Sequence, residues 1–266
     1  MYVNLEKIEK WFEGYAKSFD LSIPMIRVKY DHSFEVMRVG ERLVDALYWP
    51  TEEALTGIAA CLLHDAGRFS QYRDFGTYYD GASIDHGDRG FDVLHAEFPA
   101  DLADEAARSA ILSAVKWHNK QYLPAPGPAL RENVMPFCRL ARDADKLDVF
   151  QLVARRMDEG TIGDLLPRHN IDAPLSPALV DEVETRLSGS YKNASSLQDF
   201  LLIQLTWALD INYAPSLAEL RKNGILDRIR ERLNENGPRV QRIIENLFDK
   251  IESKDYTPQS SAAAAH

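Results

Sequence analysis

The 266-residue chain is 45% hydrophobic and 27% charged, the balance of a globular protein, which excludes disorder over most of its length. Its 41 acidic residues outnumber 31 basic ones for a net charge of −10, which excludes broad nucleic-acid backbone binding, so an anionic substrate must meet a local positive site. Cys61 and Cys138 are too few for a disulfide scaffold, no apolar stretch nears the ~20 residues that cross a bilayer, and the N-terminal segment lacks a signal peptide's apolar core, so a cytoplasmic protein without membrane attachment is expected.

Apolar residues recur at three- and four-residue spacing almost throughout, which predicts an all-α protein. Residues 4–18 and 33–48 read as the first two amphipathic helices. Thr51 is the expected N-cap of a third, nearly all apolar, with Gly67 just past its end. Residues 68–84, rich in Gly, aromatics and Asp without a helical stripe, are expected to form an ordered loop over a site. Helices at 86–97 and 101–118 follow, then a loop holding Pro124, Pro126 and Pro128, then a helix from about 131 to 157. After a loop at 158–177, helices near 178–187, 195–210, 216–234 and 237–253 form a C-terminal extension. The last of them carries Val240, Ile243, Ile244, Leu247 and Ile251 on one face, a stripe suited to core and available in principle to an oligomer. The expected organisation is one all-α domain over 1–256, its chemistry in a core at about 30–150, with a helical extension at about 175–253 and a tail at 257–266 outside the fold.

Phosphate-binding glycine loops, nucleophile elbows and His-Glu-x-x-His are absent, so histidine placement carries the information. His32 shares a helical stripe with Val36, Val39, Leu43 and Leu47, and His118 shares one with Ile111, Ala114 and Val115, so both are expected to face the core. His64 and Asp65 end the apolar run GIAACLL, where a buried carboxylate beside an imidazole needs a cation. An aspartate that uses its two oxygens separately can bridge two ions. Asp145, in RLARDADKLD, lies on the line through Cys138 and Ala141 and is expected inward, with Asp143 and Asp148 on other faces. A lone core histidine is more often hydrogen-bonded than metal-bound, and it is the joint inward pattern that points to metal. Gly90, one turn after His86, leaves room for a backbone or a ligand to approach. His95 falls on the opposite helix face and is expected at the surface; His169 and His266 receive no role.

His32, then His64-Asp65 in ACLLHDAGR, then Asp145 in DADKLD, resembles the HD-domain superfamily of metal-dependent phosphohydrolases over about 30–150. DHGDRG at 85–90 is similar to the His-x-x-x-Gly element, and WHNK at 117–120 to the His-Asn element, of members with additional histidine ligands, which tend to be dinuclear. The resemblance implies an HD-type helical bundle in which His32, His64, Asp65 and Asp145 hold a first divalent ion and His86, His118 and the bridging Asp65 a second. Mn, Fe, Co, Ni and Mg are not distinguished by such donors. It further implies hydrolysis of a small phosphate ester, a nucleotide among the candidates, by a metal-activated water, with Asp65 in the catalytic set. Arg68, directly after the His-Asp-Ala-Gly turn, is placed to fork onto a non-bridging phosphate oxygen, and Lys120, two residues beyond His118, to assist; Lys146 beside Asp145 is a weaker candidate. Two other readings stay open, a diiron oxygenase similar to inositol oxygenase and a non-catalytic nucleotide-binding module.

Overall fold

The computed structural model describes residues 1–165 and 170–254, with backbone alone at 164 and 165; His169, the tail and His266 lie outside the described residues. The chain divides into two compact units, one of Met1–Asp148 and one beginning at Val149. Among the described residues both are helical, without a strand; an isolated bridge joins Val3 and Ala103. The all-α reading of the sequence is correct. No helix among the described residues is long and apolar enough to cross a membrane.

The first unit holds α1 (Leu5–Lys17), α2 (Pro24–Ala46), α3 (Thr51–Leu63), α4 (Ala66–Phe75), α5 (His86–Glu97), α6 (Glu105–Trp117) and the beginning of α7 (Met135–Asp158). Local signals set several of these boundaries. The Asn4 side chain accepts from the Lys7 amide at 3.1 Å and caps α1; Asp104 accepts from the Ala107 amide at 2.8 Å and caps α6. At the centre lies α3, packed against α1, α2 and α6 and buried from Thr56 through Leu63, which is why its sequence is apolar on every face. Burial of each large side chain there stabilises the fold by roughly 1.5–3 kcal/mol. Cys61 and Cys138 are free and fully buried, and burial pushes the Cys138 thiol up to about 12, so both serve as small core residues.

Four expected boundaries are corrected. The second helix begins at Pro24, nine residues before the expected start, because proline's fixed φ favours the first turn. Thr51 is the first helical residue of α3 and Pro50 occupies the cap. Residues 66–75, most of them expected in a loop, form α4, which ends at Gly76 with φ +64°. Its helical stripe is masked because polar Ser70 and Gln71 are buried beside Ala66, Gly67 and Phe69. Gly67 therefore does not terminate a helix. It lets α4 meet α5 backbone to backbone: a Cβ at Gly67 would strike the His86 carbonyl oxygen and lie 2.5 Å from the Gly90 nitrogen.

The second unit contains α8 (Pro177–Arg186), α9 (Leu197–Trp207), α10 (Ala214–Lys222), α11 (Ile225–Asn234) and α12 (Pro238–Glu252). The expected helix at 216–234 is two helices, parted at Gly224 with φ +63°. A reciprocal capping box between Ser196 and Asp199 starts α9. The α12 stripe of Val240, Ile243, Ile244, Leu247 and Ile251 is buried, with α8 and α11 as its neighbours, so this apolar face belongs to the core.

Gly67→Ala should lower stability by about 1–3 kcal/mol, since the obstructing atoms are backbone and cannot rotate away. Gly14→Ala is its counterpart, because nothing lies within 4 Å of an added Cβ inside α1; it should stabilise by about 0.5–1 kcal/mol. Urea unfolding of both variants measures the contrast, and equal midpoints would contradict the backbone-contact explanation.

Candidate metal centre

The six expected ligands come from helix ends and two helix interiors. His32 stands in the middle of α2 and Asp145 in α7. His64 and Asp65 occupy the junction of α3 and α4, where Asp65 has φ −98° and ψ 17°. Asp65 is at the N-cap position of α4 but makes no capping hydrogen bond with its side chain, which frees the carboxylate to face inward. His86 is the first residue of α5, behind the Asp85 cap, and His118 directly follows α6.

These residues converge around Asp65. Its Oδ2 lies 3.7 Å from His32 Nε2 and 3.6 Å from His64 Nε2, while its Oδ1 lies 3.6 Å from His86 Nε2 and 3.5 Å from His118 Nε2. Each oxygen thus faces one histidine pair. Asp145 Oδ1 joins the first pair, 3.2 Å from His32 Nε2 and 3.7 Å from His64 Nε2. Donor atoms of His32, His64 and Asp65, of His64, His118 and Asp145, and of Asp65, His86 and His118 lie close enough together to hold a metal ion. The Asp65 and His118 side chains are no more than 3% exposed, whereas Asp145 is 27% exposed.

Hydrogen bonds fix the direction of every imidazole. His64 Nδ1 donates to the Cys61 carbonyl and His118 Nδ1 to the Val115 carbonyl, both at 2.7 Å, so each ring satisfies a carbonyl left open at the end of its helix. His32 Nδ1 donates to Asp148 Oδ2 at 2.7 Å and His86 Nδ1 to Asp80 Oδ2 at 2.6 Å. With Nδ1 protonated in all four, a neutral ring turns its Nε2 lone pair toward the centre. Those nitrogens approach to 3.2 Å between His32 and His64 and to 3.1 Å between His86 and His118. Where both rings of a pair are neutral, facing lone pairs at such distances repel and a cation between them removes the conflict; between His32 and His64 a second proton on His32 does the same. The carboxylate-backed imidazoles at His32 and His86 have the form of outer partners that orient metal ligands. Together, the donor types and orientations fit divalent ions.

Burial and charge divide the protonation behaviour. Burial foremost drives His64 down to about 4 and His86 down to about 3. At His32 burial and Lys29 oppose protonation, but Asp145 and Asp148 outweigh them and raise it to about 9. Asp65 is fully buried, a cost to its charge that Lys29, His64, His118 and Arg68 overcome, holding it well below the ordinary carboxylate range.

Five residues at the centre were given no role in it by sequence. Asp148 was expected on another face of α7, yet it is 5% exposed and holds His32; three residues past Asp145 is only about 60° around a helix, so the two share a face. Lys29, one turn before His32, places Nζ 2.8 Å from Asp65 Oδ2, and the early start of α2 brings it there. Asp80 and Tyr78 come from the segment after α4, which has no periodicity to mark them. Asn119, part of the WHNK motif, donates to Asp85 Oδ1 at 3.0 Å and to Asp80 Oδ2 at 3.3 Å.

The expected cations lie near the centre with other partners. Arg68 Nη1 donates to Gln71 Oε1, the Tyr78 carbonyl and Asp80 Oδ1 at 2.9, 2.6 and 3.0 Å, while its Nε lies 3.5 Å from Asp65 Oδ1. Lys120 Nζ pairs with Asp85 at 2.6 Å and Asp88 at 3.0 Å, tying the segment after α6 to the start of α5. Lys146 is buried, its ammonium 3.5 Å from the Arg142 carbonyl. Arg142 Nη1 in turn donates to the carbonyls of Trp117, His118 and Lys120, holding the chain on both sides of His118. His95 is exposed and stacks on Phe91, as a surface residue should.

Chelator-treated protein should be most stable near pH 6.5. The stability tied to neutral His64 and His86 is present above about pH 6.5 and is lost as the pH falls toward 4 and 3, whereas that tied to charged His32 is complete below about pH 6.5 and is lost as the pH rises through 9. Thermal unfolding in chelator from pH 4.5 to 9.5 reads this directly. A midpoint that rises steadily with pH across the whole range would contradict the assignment at His32.

The HD-domain family model matches residues 30–152, an interval that contains all six converging ligands. Searches of curated proteins and of solved structures give no match. With four imidazoles and two carboxylates directed at one another inside the matched interval, residues 30–152 form a segment similar to the HD-domain family.

Proposed function

We propose that this protein is a metal-dependent phosphohydrolase that cleaves a small phosphate ester, a nucleotide among the candidates, at a dinuclear centre. The observation that carries the reading is the orientation of Asp65, whose Oδ2 faces His32 and His64 and whose Oδ1 faces His86 and His118. HD-domain families are generally metal-dependent phosphohydrolases, which supports the reaction class. Two divalent ions, one at His32, His64, Asp65 and Asp145 and one at Asp65, His86 and His118, would acidify a water and neutralise phosphate oxygens.

The chain's own residues prepare that chemistry. Asp148 and Asp80 hold the Nδ1 protons of His32 and His86, keeping each Nε2 free to donate its lone pair. The main-chain carbonyls of Cys61 and Val115 do the same for His64 and His118. Burial of His64, Asp65 and His118 excludes bulk water from the inner side, and the partial exposure of Asp145 leaves the approach on its side. Arg68 supports the centre through Asp80 and lies beside Asp65, and Lys120 steadies the start of α5 on which His86 stands. In the hydrolysis itself the water oxygen bonds to phosphorus, the ester P–O bond breaks, and the alcohol leaves with a proton from the water.

Asp65→Ala should abolish both metal loading and phosphatase activity, because it removes the ligand common to both ions. His86→Ala should retain one ion per chain, read by elemental analysis of protein prepared without chelator or histidine tag. Asp148→Asn should weaken metal affinity about 10- to 100-fold while leaving the ligand set intact. Phosphate release from model phosphomonoesters with Mn, Co, Ni or Mg tests the reaction; iron loading with dioxygen uptake and no phosphate release would replace the hydrolase reading with the oxygenase one.

A further inference from the structure

We infer that Lys29 contacts a non-bridging oxygen of the substrate's phosphoryl group, a role that rests on the phosphohydrolase reading above. Among the described residues its ammonium has one hydrogen-bond partner, Asp65 Oδ2 at 2.8 Å, and its side chain is 21% exposed, on a centre whose inner side chains are nearly inaccessible. Asp65 Oδ2 is also the oxygen turned toward His32 and His64. A carboxylate oxygen carries two lone pairs, so a divalent ion ligated there can share Oδ2 with Lys29, and the ammonium keeps donors to spare for a further acceptor.

The other nearby cations are held by partners outside the six converging residues. Arg68 keeps Asp80, Gln71 and the Tyr78 carbonyl, and Lys120 keeps Asp85 and Asp88, none of which is among the six converging ligands. Lys29 also keeps a support that needs no carboxylate. Its ammonium lies 5.6 Å from the centre of the Tyr78 ring, which carries the Arg68 guanidinium at the same distance and is anchored by its hydroxyl to the Met25 carbonyl at 2.7 Å. An ammonium held over an aromatic face at the rim of this centre, with donors to spare, is placed to meet an anion, and a phosphate ester brings one there. Lys29 can therefore hold Asp65 Oδ2 and a phosphoryl oxygen together.

The test compares Lys29→Met and Lys29→Arg with the wild-type chain in two separate titrations. Divalent metal added to chelator-treated protein should reach the same stoichiometry in all three, with affinity equal or tighter in Lys29→Met. Inorganic phosphate added to the metal-loaded proteins should bind Lys29→Met about 10- to 100-fold more weakly than wild type, with partial recovery in Lys29→Arg. Phosphate binding unchanged in Lys29→Met overturns the inference while leaving the phosphohydrolase reading in place. A reduced metal stoichiometry in Lys29→Met also overturns it, by making the lysine a support of the centre. Full metal loading of the wild-type protein without any phosphate binding overturns the phosphohydrolase reading, and the inference with it.

Discussion

A single buried carboxylate imposes the constraint around which the first unit is organised. Asp65 sits at 2% exposure where two helices meet, in surroundings that would disfavour its charge by several kcal/mol if it were left alone. The fold answers by directing four imidazoles, Lys29 and Arg68 at its two oxygens. This explains why an apolar central helix ends in a His-Asp pair and why the next helix starts without a side-chain cap. It also explains why polar Gln71 is buried on α4, where it donates to Asp80, which holds His86.

The centre is built from two devices, each used twice. At His64 and His118 an imidazole just past a helix closes an open carbonyl of that helix and thereby aims its other nitrogen outward from the helix end. At His32 and His86 a carboxylate performs the same orientation. The two versions differ in electrostatic effect. A carbonyl orients the ring with a partial charge, while a carboxylate adds a full one that favours protonation: at His32 Asp145 and Asp148 together raise it to about 9, whereas at His86 burial and Arg68 outweigh Asp80 and lower it to about 3. Each Asp65 oxygen faces one imidazole of each kind, so the two halves of the centre are chemically matched although they come from different helices.

Much of this was legible in the amino-acid order. The period of apolar residues gave the helical class, and the stripes through Val36, Val39 and Leu43 and through Ile111, Ala114 and Val115 placed His32 and His118 inward. The HD resemblance named all six converging ligands. What escaped has physical causes. Pro24 favours a helix start upstream of the first clear apolar stripe, which hid Lys29. Asp148 was expected on another face of α7, although its three-residue spacing from Asp145 puts both on one side of a helix. Asp80 and Tyr78 act from an irregular segment, where position depends on tertiary partners such as Arg68 and the Met25 carbonyl and leaves no periodic trace. Buried polar residues on α4 erased its stripe and made a helix resemble a loop.

The contact between Gly67 and Gly90 acts as a ruler. Gly67 is two residues beyond Asp65 and Gly90 four beyond His86, and between them no side chain intervenes. The interval from the central carboxylate to the second histidine pair is therefore fixed by main chain meeting main chain, whose dimensions do not vary with residue type. Substitutions in the core or on the rim can reshape what the centre admits without stretching the centre itself. Room for substitution at such a site therefore lies at its borders, in segments like that carrying Tyr78 and the proline-containing stretch after His118, while the spacing of Asp65 and His86 stays set by main chain.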